Sequence, residues 1–282
     1  MRLGVRATTV ITRVIIYTVI IAGAFVLMIP FFWMLSTSLK DEGAVWLFPP
    51  RWIPKPIVWE NYKTAFTMWP FGLYLLNSVK LVVINITGIL LSCSMVAFSF
   101  SRLRWPGRDF FFLLLISTMM IPGQVTMIPI FILFRYFGWI DTFYPLTVPS
   151  FFGSPFYIFL LRQFFLTIPR EMEEAAKIDG CSTFQIFSRI ILPLSKPALG
   201  TVAIFTFMGV WNDFMGPLIY LNSESKRTAT LALGFFRSAW YGGTHTAVLM
   251  ASSMIVMLPC LLLFFFAQRY YIQGVVITGL KG

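Results

Sequence analysis

The residues able to do chemistry concentrate in one polar stretch, 167–197, which reads TIPREMEEAAKIDGCSTFQIFSRIILPLSKP. Glu171, Glu173 and Glu174 fall within one turn, followed by Ala175, Ala176, Asp179 and Gly180. Carboxylates in the opening turn of a helix are held by its dipole. Thr167 can cap that helix with Pro169 in its first turn, and Gly180 supplies a C-terminal stop. Ser182 with Gln185 fits a capping box for a second helix over 183–192, which sets Phe184, Phe187 and Ile191 at helical spacing. Pro193 and Pro197 redirect the chain. Ala175 and Ala176 give that helix a smooth, small-residue face. On these residues alone, an ordinary amphipathic loop is a sufficient reading.

A second constellation is Trp211-Asn212-Asp213. Asp213 is the one acid well inside a long apolar run, where a charge is costly and marks a candidate functional position. It could line a path or gate, or bond to a neighbouring helix for packing. Other chemistry is poorly supported. Cys93, Cys181 and Cys260 are far apart with no CxxC, and His245 is the single histidine, so a disulfide framework, a zinc site or a metalloenzyme is disfavoured. No G-x-x-x-x-G-K-[ST] occurs, so ATP phosphates are not cradled by that route.

The elements that must carry these residues are membrane helices. The chain has 282 residues, 58% hydrophobic and 12% charged, with mean hydropathy +0.80. Soluble domains carry about 25% charged residues. A span needs about 20 apolar residues, and six stretches qualify: about 14–37, 74–101, 110–134, 142–163, 197–221 and 246–268. This predicts one transmembrane domain over 1–282, with the polar stretch as a loop over 167–196. The first stretch is too long for a signal peptide and is read as retained. The net charge of +11 reads as topology rather than nucleic-acid binding. Arg2, Arg6, Arg13, Arg102, Arg104, Arg108, the bases of 162–196, Arg269 and Lys281 share one side. Lys40, Arg51, Lys55, Lys63, Arg135, Lys226, Arg227 and Arg237 share the other. The first set is the larger and denser, which makes both termini cytoplasmic. Lys80 snorkels to the outer interface. Pro122 and Pro129 predict a kinked or broken third span. The outer loop 40–70, with Pro49, Pro50, Pro54 and Pro56 and with Trp46, Trp52, Trp59 and Trp69, reads as a pinned interfacial loop. A second outer loop, 223–246, holds Trp240, Tyr241, Gly242 and Gly243.

One spacing in the polar stretch is specific. Glu174-Ala175-Ala176, three residues, Gly180, nine residues, Ile190, one residue and Leu192-Pro193 resembles the EAA motif of the permease subunits of bacterial ATP-binding cassette importers. Val96 to Arg102 with Trp105-Pro106-Gly107-Arg108 is similar to an inner loop of maltose-type sugar permeases. So are Met120-Ile121-Pro122 through Pro129, Gly138, Asp141-Thr142, Pro149, Trp211-Asn212-Asp213 and the tail 273–282. Ser99 and Ser101 stand where many relatives carry Ala. The chain is most similar to the smaller, second membrane subunit of that system.

The resemblance implies an all-α fold of six transmembrane helices, a type I importer permease with cytoplasmic coupling helices in the bacterial inner membrane. It implies ATPase coupling through Glu173, Glu174, Ala175, Ala176, Asp179, Gly180, Ile190, Leu192 and Pro193, and a pathway role for Trp211, Asn212 and Asp213. It implies no cofactor and no enzyme activity on this chain, with ATP and Mg bound by partner ATPase subunits. The implied partners are a distinct second permease, two copies of the ATPase, a periplasmic or extracellular solute-binding protein and a carbohydrate. That carbohydrate would be a mono- or oligosaccharide, an anionic uronate oligosaccharide among them, or a polyol phosphate such as glycerol phosphate. In related importers a C-terminal tail reaches the ATPase dimer; here 273–282 reads as small and flexible. The competing reading is an ion-gradient-driven transporter or channel, which would call for more intramembrane ionisable residues than Asp213.

Overall fold

A computed structural model describes the backbone of residues 2–236 and 245–279, and the side chains of 12–236 and 245–267. Among the described residues the elements are all helical. In chain order they are α1 (Arg2–Ser38), α2 (Glu42–Val45), α3 (Glu60–Met68), α4 (Phe71–Arg102), α5 (Arg108–Ser117), α6 (Gly123–Tyr136), α7 (Tyr144–Thr147), α8 (Pro155–Thr167) and α9 (Glu171–Ile178). They continue as α10 (Thr183–Ile186), α11 (Leu192–Leu194), α12 (Lys196–Trp211), α13 (Met215–Tyr220), α14 (Ala229–Phe236) and α15 (Thr246–Gly279). Three stretches are long and apolar enough to cross a membrane: Thr12–Ser38, Phe71–Arg102 and Thr246–Ala267. Three more qualify only as bent pairs, giving up to six.

The bends fall where the sequence lacks a backbone donor or a helix-compatible residue. Arg108–Met120 and Gly123–Tyr136 meet at 98°, with Pro122 at the break. The predicted break is therefore at Pro122, while Pro129 lies inside α6. The fourth apolar stretch is α7, a 3-10 turn over Val148–Phe152 and then α8, separated at Gly153 with φ +90. The fifth stretch stops being helical at Asn212 and resumes at Met215. The last helix continues through Gly279, so 273–279 is helical rather than a flexible tail. Leu280–Gly282 lie outside the described residues, as do Arg237, Trp240, Tyr241, Gly242 and Gly243.

The chain divides into two compact units. The first holds Met1–Trp69 and Phe235–Met257. Its loop after α1 is pinned, as the prolines and aromatics predict. Asn61 donates to the carbonyls of Ser38 (2.9 Å) and Lys40 (2.8 Å), and Ser38 bonds Tyr62 (2.8 Å). Lys40 is buried with its ammonium 3.9 Å from the Trp33 ring centre. Burial lowers its pKa, and the ring face partly replaces the lost water. Glu42 accepts from the amides of Thr246 (2.7 Å) and Ala247 (2.9 Å), capping α15 from a distance in sequence. Trp46, Trp52 and Trp59 are exposed, but Trp69 is buried and stacked on Phe236 at 3.9 Å, so it is a packing residue and not an interfacial anchor.

The second unit, Pro70–Gly234 and Leu258–Gly282, is built around α4. At about 1.5 Å per residue, its 32 residues reach about 48 Å. Cys93 and Ala97 present a small face against which Leu161, Phe165, Ile191 and Val202 close the core. The same helix also services the broken fourth span. Asn85 donates to the Leu146 carbonyl (2.8 Å), Ser92 donates to the Ser150 carbonyl (3.0 Å), and Cys93 Sγ accepts from the Ser154 amide (3.2 Å). An interrupted helix in lipid leaves backbone groups unpaired at several kcal/mol each, and these side chains take them up. The close approach needs Gly88, where a Cβ would lie 2.5 Å from Ser150 Oγ and 2.9 Å from the Phe151 ring.

The two ends of α4 sort the loops. Near its start, Tyr74 donates to Glu224 (3.0 Å) and Asn77 donates to the carbonyls of Ser225 and Arg227. The loop before α7 joins that group. Asp141, at φ 60, accepts from the amides of Asn222 (3.0 Å) and Ser223 (2.9 Å), from the Ser223 hydroxyl, and from Lys226 (3.0 Å). The far end of α4 meets 165–173, described below. Loops read as lying on opposite sides of the membrane thus attach to opposite ends of one helix.

Gly88→Ala should lower thermal stability by about 1–3 kcal/mol through overpacking. Gly23→Ala should not, since nothing lies within 4 Å of a Cβ there. Detergent thermal unfolding of the two variants checks this. The Asp141 carboxyl is held well below the ordinary carboxylate range, chiefly by the Ser223 hydroxyl and amide. A depressed carboxylate stabilises above its unfolded pKa of about 4 and loses that contribution as pH falls through the folded value. Acid unfolding of the wild type should therefore be steeper below pH about 4 than that of Asp141→Asn.

Candidate functional site

The predicted helix pair exists. Helix α9 opens with Glu171, Glu173 and Glu174 in its first turn. It closes in a Schellman arrangement: Cys181 N–H donates to the Ala176 carbonyl (2.9 Å) and Gly180 N–H to the Lys177 carbonyl (3.0 Å). Gly180 sits at φ +78, the left-handed region that glycine occupies without strain. Ser182 and Gln185 form the expected reciprocal capping box. Thr167, however, does not cap α9. It ends α8 and donates to the Phe164 carbonyl, and Pro169 lies before the capping residue Arg170 rather than in the first turn.

The second helix is also not one regular element. Leu192 N–H donates to Phe187 O, five residues back, so 187–191 is a π turn between α10 and α11. Pro193 has no N–H to offer the Arg189 carbonyl and its ring crowds that turn, which widens to accommodate it. A 76° bend then separates Thr183–Leu194 from Lys196–Trp211, with fully buried Ser195 at the corner.

Helical spacing divides the predicted coupling residues between two faces. Glu173 and Ala176, three apart, are buried; Glu174, Ala175, Asp179 and Gly180 are exposed. Pro193 is exposed, and Ile190 and Leu192 are half-buried in the base of the pair. Ile178 (87% exposed) and Phe184 (70%) flank the exposed acids with apolar surface. Sequence reasoning placed neither of these in a docking role, although two large apolar residues bracketing Gly180 in a polar stretch are a readable signal.

Glu173 corrects the sequence expectation most clearly. It does not face outward to a partner. Its Oε1 lies 3.0 Å from Arg102 Nη1, with the side chains 10% and 2% exposed. Arg102 Nη2 also donates to the carbonyls of Phe165 and Ile168 (2.7 Å for the latter). One guanidinium at the end of α4 thereby satisfies orphan carbonyls at the end of α8 and holds the first turn of α9. The sequence reading used Arg102 only as a topology charge and part of a motif.

The second candidate is rearranged as well. Asp213 lies in the break between α12 and α13, half-buried, and its Oδ1 accepts from the Gly216 amide (3.1 Å). A Cβ at Gly216 would collide with that carboxylate and lie 3.0 Å from Leu146. The carboxylate therefore caps a helix within its own broken span; of the two sequence readings, the neighbouring-helix bond is replaced by a local cap. Trp211 is buried, stacked on Phe207 at 5.5 Å, and accepts from Thr230 through its carbonyl (2.7 Å). Asn212 is exposed and donates to the Met208 carbonyl (2.9 Å).

Residues 88–277 match the binding-protein-dependent transport system inner membrane component family. The chain belongs to this family. Among its relatives, a putative ABC transporter permease of Caldicellulosiruptor is 38% identical over 256 residues, 90% of this chain and 92% of its own. The arabinooligosaccharide transport permease AraQ of Halalkalibacterium halodurans is 34% identical, covering 88% and 86%. The diacetylchitobiose uptake permease DasC of Streptomyces coelicolor is 32% identical, covering 91% and 92%. The fold is that of a bacterial ABC transporter that imports the acidic polysaccharide alginate, at TM-score 0.81 and 24% identity over 91% of this chain and 95% of that one. The permease is thus a helical inner-membrane subunit whose family works with a partner permease, a separate ATPase and a substrate-binding protein.

Glu173→Ala in this permease should cost about 3–5 kcal/mol by leaving a buried guanidinium uncompensated. The double variant Arg102→Met/Glu173→Leu should recover part of that loss, the rest reflecting the uncapped carbonyls of Phe165 and Ile168. Thermal unfolding of both variants in detergent measures the difference.

Proposed function

We propose that this permease forms half of the translocation pathway of an ATP-driven, binding-protein-dependent importer for carbohydrates. The observation that carries the reading is the outward face of α9–α10. Glu174 and Asp179 stand exposed beside Ala175, Gly180, Ile178 and Phe184, while Glu173 fixes the same helix to α4 from behind. A face that offers charge, apolar area and small residues, on a rigid mount, suits a groove on a separate ATPase. Two ATPase copies closing on ATP and Mg would move two such faces, one on this chain and one on a distinct homologous permease. The inner-loop cations support a cytoplasmic position for both termini and for this face, in a reading with six spans over 1–282.

The carbohydrate reading rests on the names of relatives at 30–34% identity, which refer to arabinooligosaccharides, diacetylchitobiose and sn-glycerol-3-phosphate. An anionic uronate oligosaccharide belongs to the same class. Much of the outer cationic excess is already engaged: Lys40 is buried, Lys63 pairs with Glu60, Lys226 with Asp141 and Arg227 with Glu224. Arg51, Lys55 and Arg135 remain as outer cations outside those pairs.

Purification of the tagged permease from its native membrane should bring down an ATPase and its activity. Glu174→Ala should reduce the co-purifying activity about tenfold or more, equivalent to about 1.4 kcal/mol of docking energy, with thermal stability unchanged. An intact permease that comes down alone and without ATPase activity would point to the gradient-driven transporter instead. In proteoliposomes with the cognate binding protein, neutral oligosaccharides, uronate oligosaccharides and glycerol phosphate, tested in turn, should separate by stimulation of ATP hydrolysis.

A further inference from the structure

A cleft of about 410 Å³ opens where α4 ends and α5 begins, lined by Arg104, Trp105, Gly107, Arg108, Phe110 and Arg170, with Asp109 at its edge. None of these residues belongs to the exposed face of α9–α10 or to the broken fifth span. Arg108 is committed: its Nε lies 2.9 Å from Asp109 Oδ1, and its Nη1 donates to the Leu103 carbonyl. Arg104 and Arg170 make no ion pair and no side-chain hydrogen bond among the described residues, so the cleft carries an excess of about two positive charges. Trp105 packs its ring against Phe100 (5.6 Å) and Phe111 (5.9 Å). Its indole Nε1 is buried and finds no hydrogen-bond partner.

The surroundings say what kind of anion suits this charge. The cleft lies where α4, a helix long and apolar enough to cross a membrane, ends. Gly107, at φ +81, turns the chain and opens α5 without a side-chain cap, leaving helix N–H groups that favour an anion. From there α5 runs on with Phe110, Leu113 and Leu114 exposed, apolar surface of the kind acyl chains cover. Cations and an uncapped helix start below an apolar helix face suit a phosphodiester with hydrocarbon attached. Basic pockets at this depth attract anionic head groups.

We propose that this cleft binds the phosphate of an anionic phospholipid, with Arg104 and Arg170 as the charge partners. The shared chemistry with free phosphate is a tetrahedral oxyanion; the exposed apolar face of α5 favours the lipid. The site is independent of which solute is transported.

Native mass spectrometry of the intact transporter complex, purified with phosphatidylglycerol and phosphatidylcholine in equal amounts, tests this. Wild type should retain phosphatidylglycerol preferentially. Arg104→Gln/Arg170→Gln should lose that preference about fivefold or more, while Arg135→Gln, far from the cleft, should keep it. If the double variant does not assemble, Arg104→Gln alone serves, because that exposed side chain makes no structural bond. Millimolar inorganic phosphate that displaces the lipid signal and itself stabilises the wild type, but not the variant, would replace the lipid with free phosphate as the occupant. Equal retention by wild type and variants, or no preference in the wild type, would overturn the proposal.

Discussion

The Arg102 guanidinium is the constraint on which the cytoplasmic end of this permease depends. It closes α4, donates to two backbone carbonyls at the end of α8 and pairs with Glu173 in near-complete burial. A buried ion pair adds little stability over an apolar equivalent, and its removal from one side is costly. What it adds here is geometry. The planar fork fixes three segments at set angles, which a lysine, as a flexible point charge, could not do. Helix α9 is short, eight residues, and would be marginal alone. Its orientation is borrowed from the much longer α4.

The same logic of borrowed support runs through the rest of the second unit. Three of the apolar stretches are bent or interrupted, and each interruption creates backbone groups that lipid cannot satisfy. The chain answers with short polar side chains in helix α4 that look misplaced in an apolar segment: Asn85, Ser92 and Cys93 for the fourth stretch. Asp213 does so for the fifth within its own break. Glycine enters where such contacts need backbone proximity, at Gly88 and Gly216. Interrupted helices are the segments able to change angle at small cost. In the second unit the interrupted fourth and fifth stretches pack on the continuous helix α4.

How much of this was legible depended on the range of the interaction. Local signals were read well: the Gly180 stop, the Ser182–Gln185 box and the break at Pro122 follow from backbone chemistry within four residues. The π turn was missed, although Pro193 four residues after Arg189 contains its cause. Long-range pairings were not legible, because nothing in one sequence links Arg102 to Glu173 or Asn85 to Leu146 across about 60–70 positions of helical apolar background. Glu173 and Glu174 are adjacent and chemically alike; only the register of α9 against α4 decides which is anchor and which is exposed. Thr167 failed as a cap for a similar reason, since α8 runs one turn further than its apolar pattern suggested and uses the residue itself.

That register has a mechanical consequence. A docking face transmits displacement only if it is stiffer toward its own helix than toward its partner. Glu173 and Ala176 face inward into an ion pair and the core, while Glu174, Ala175 and Asp179 face out. In the proposed docking, a push on the outer row would be received by Arg102 and passed to α4. The corner at Ser195, fully buried at a 76° bend, carries the other half of the pair into α12. The two helices that leave the docking face thus end in different places, one at the continuous helix and one at the broken fifth span. Motion of the pair as a unit must then change the angle between a rigid element and an interrupted one. Under the proposed function that geometry would link the docking of this pair to the spans, and it rests on which of two neighbouring glutamates points inward.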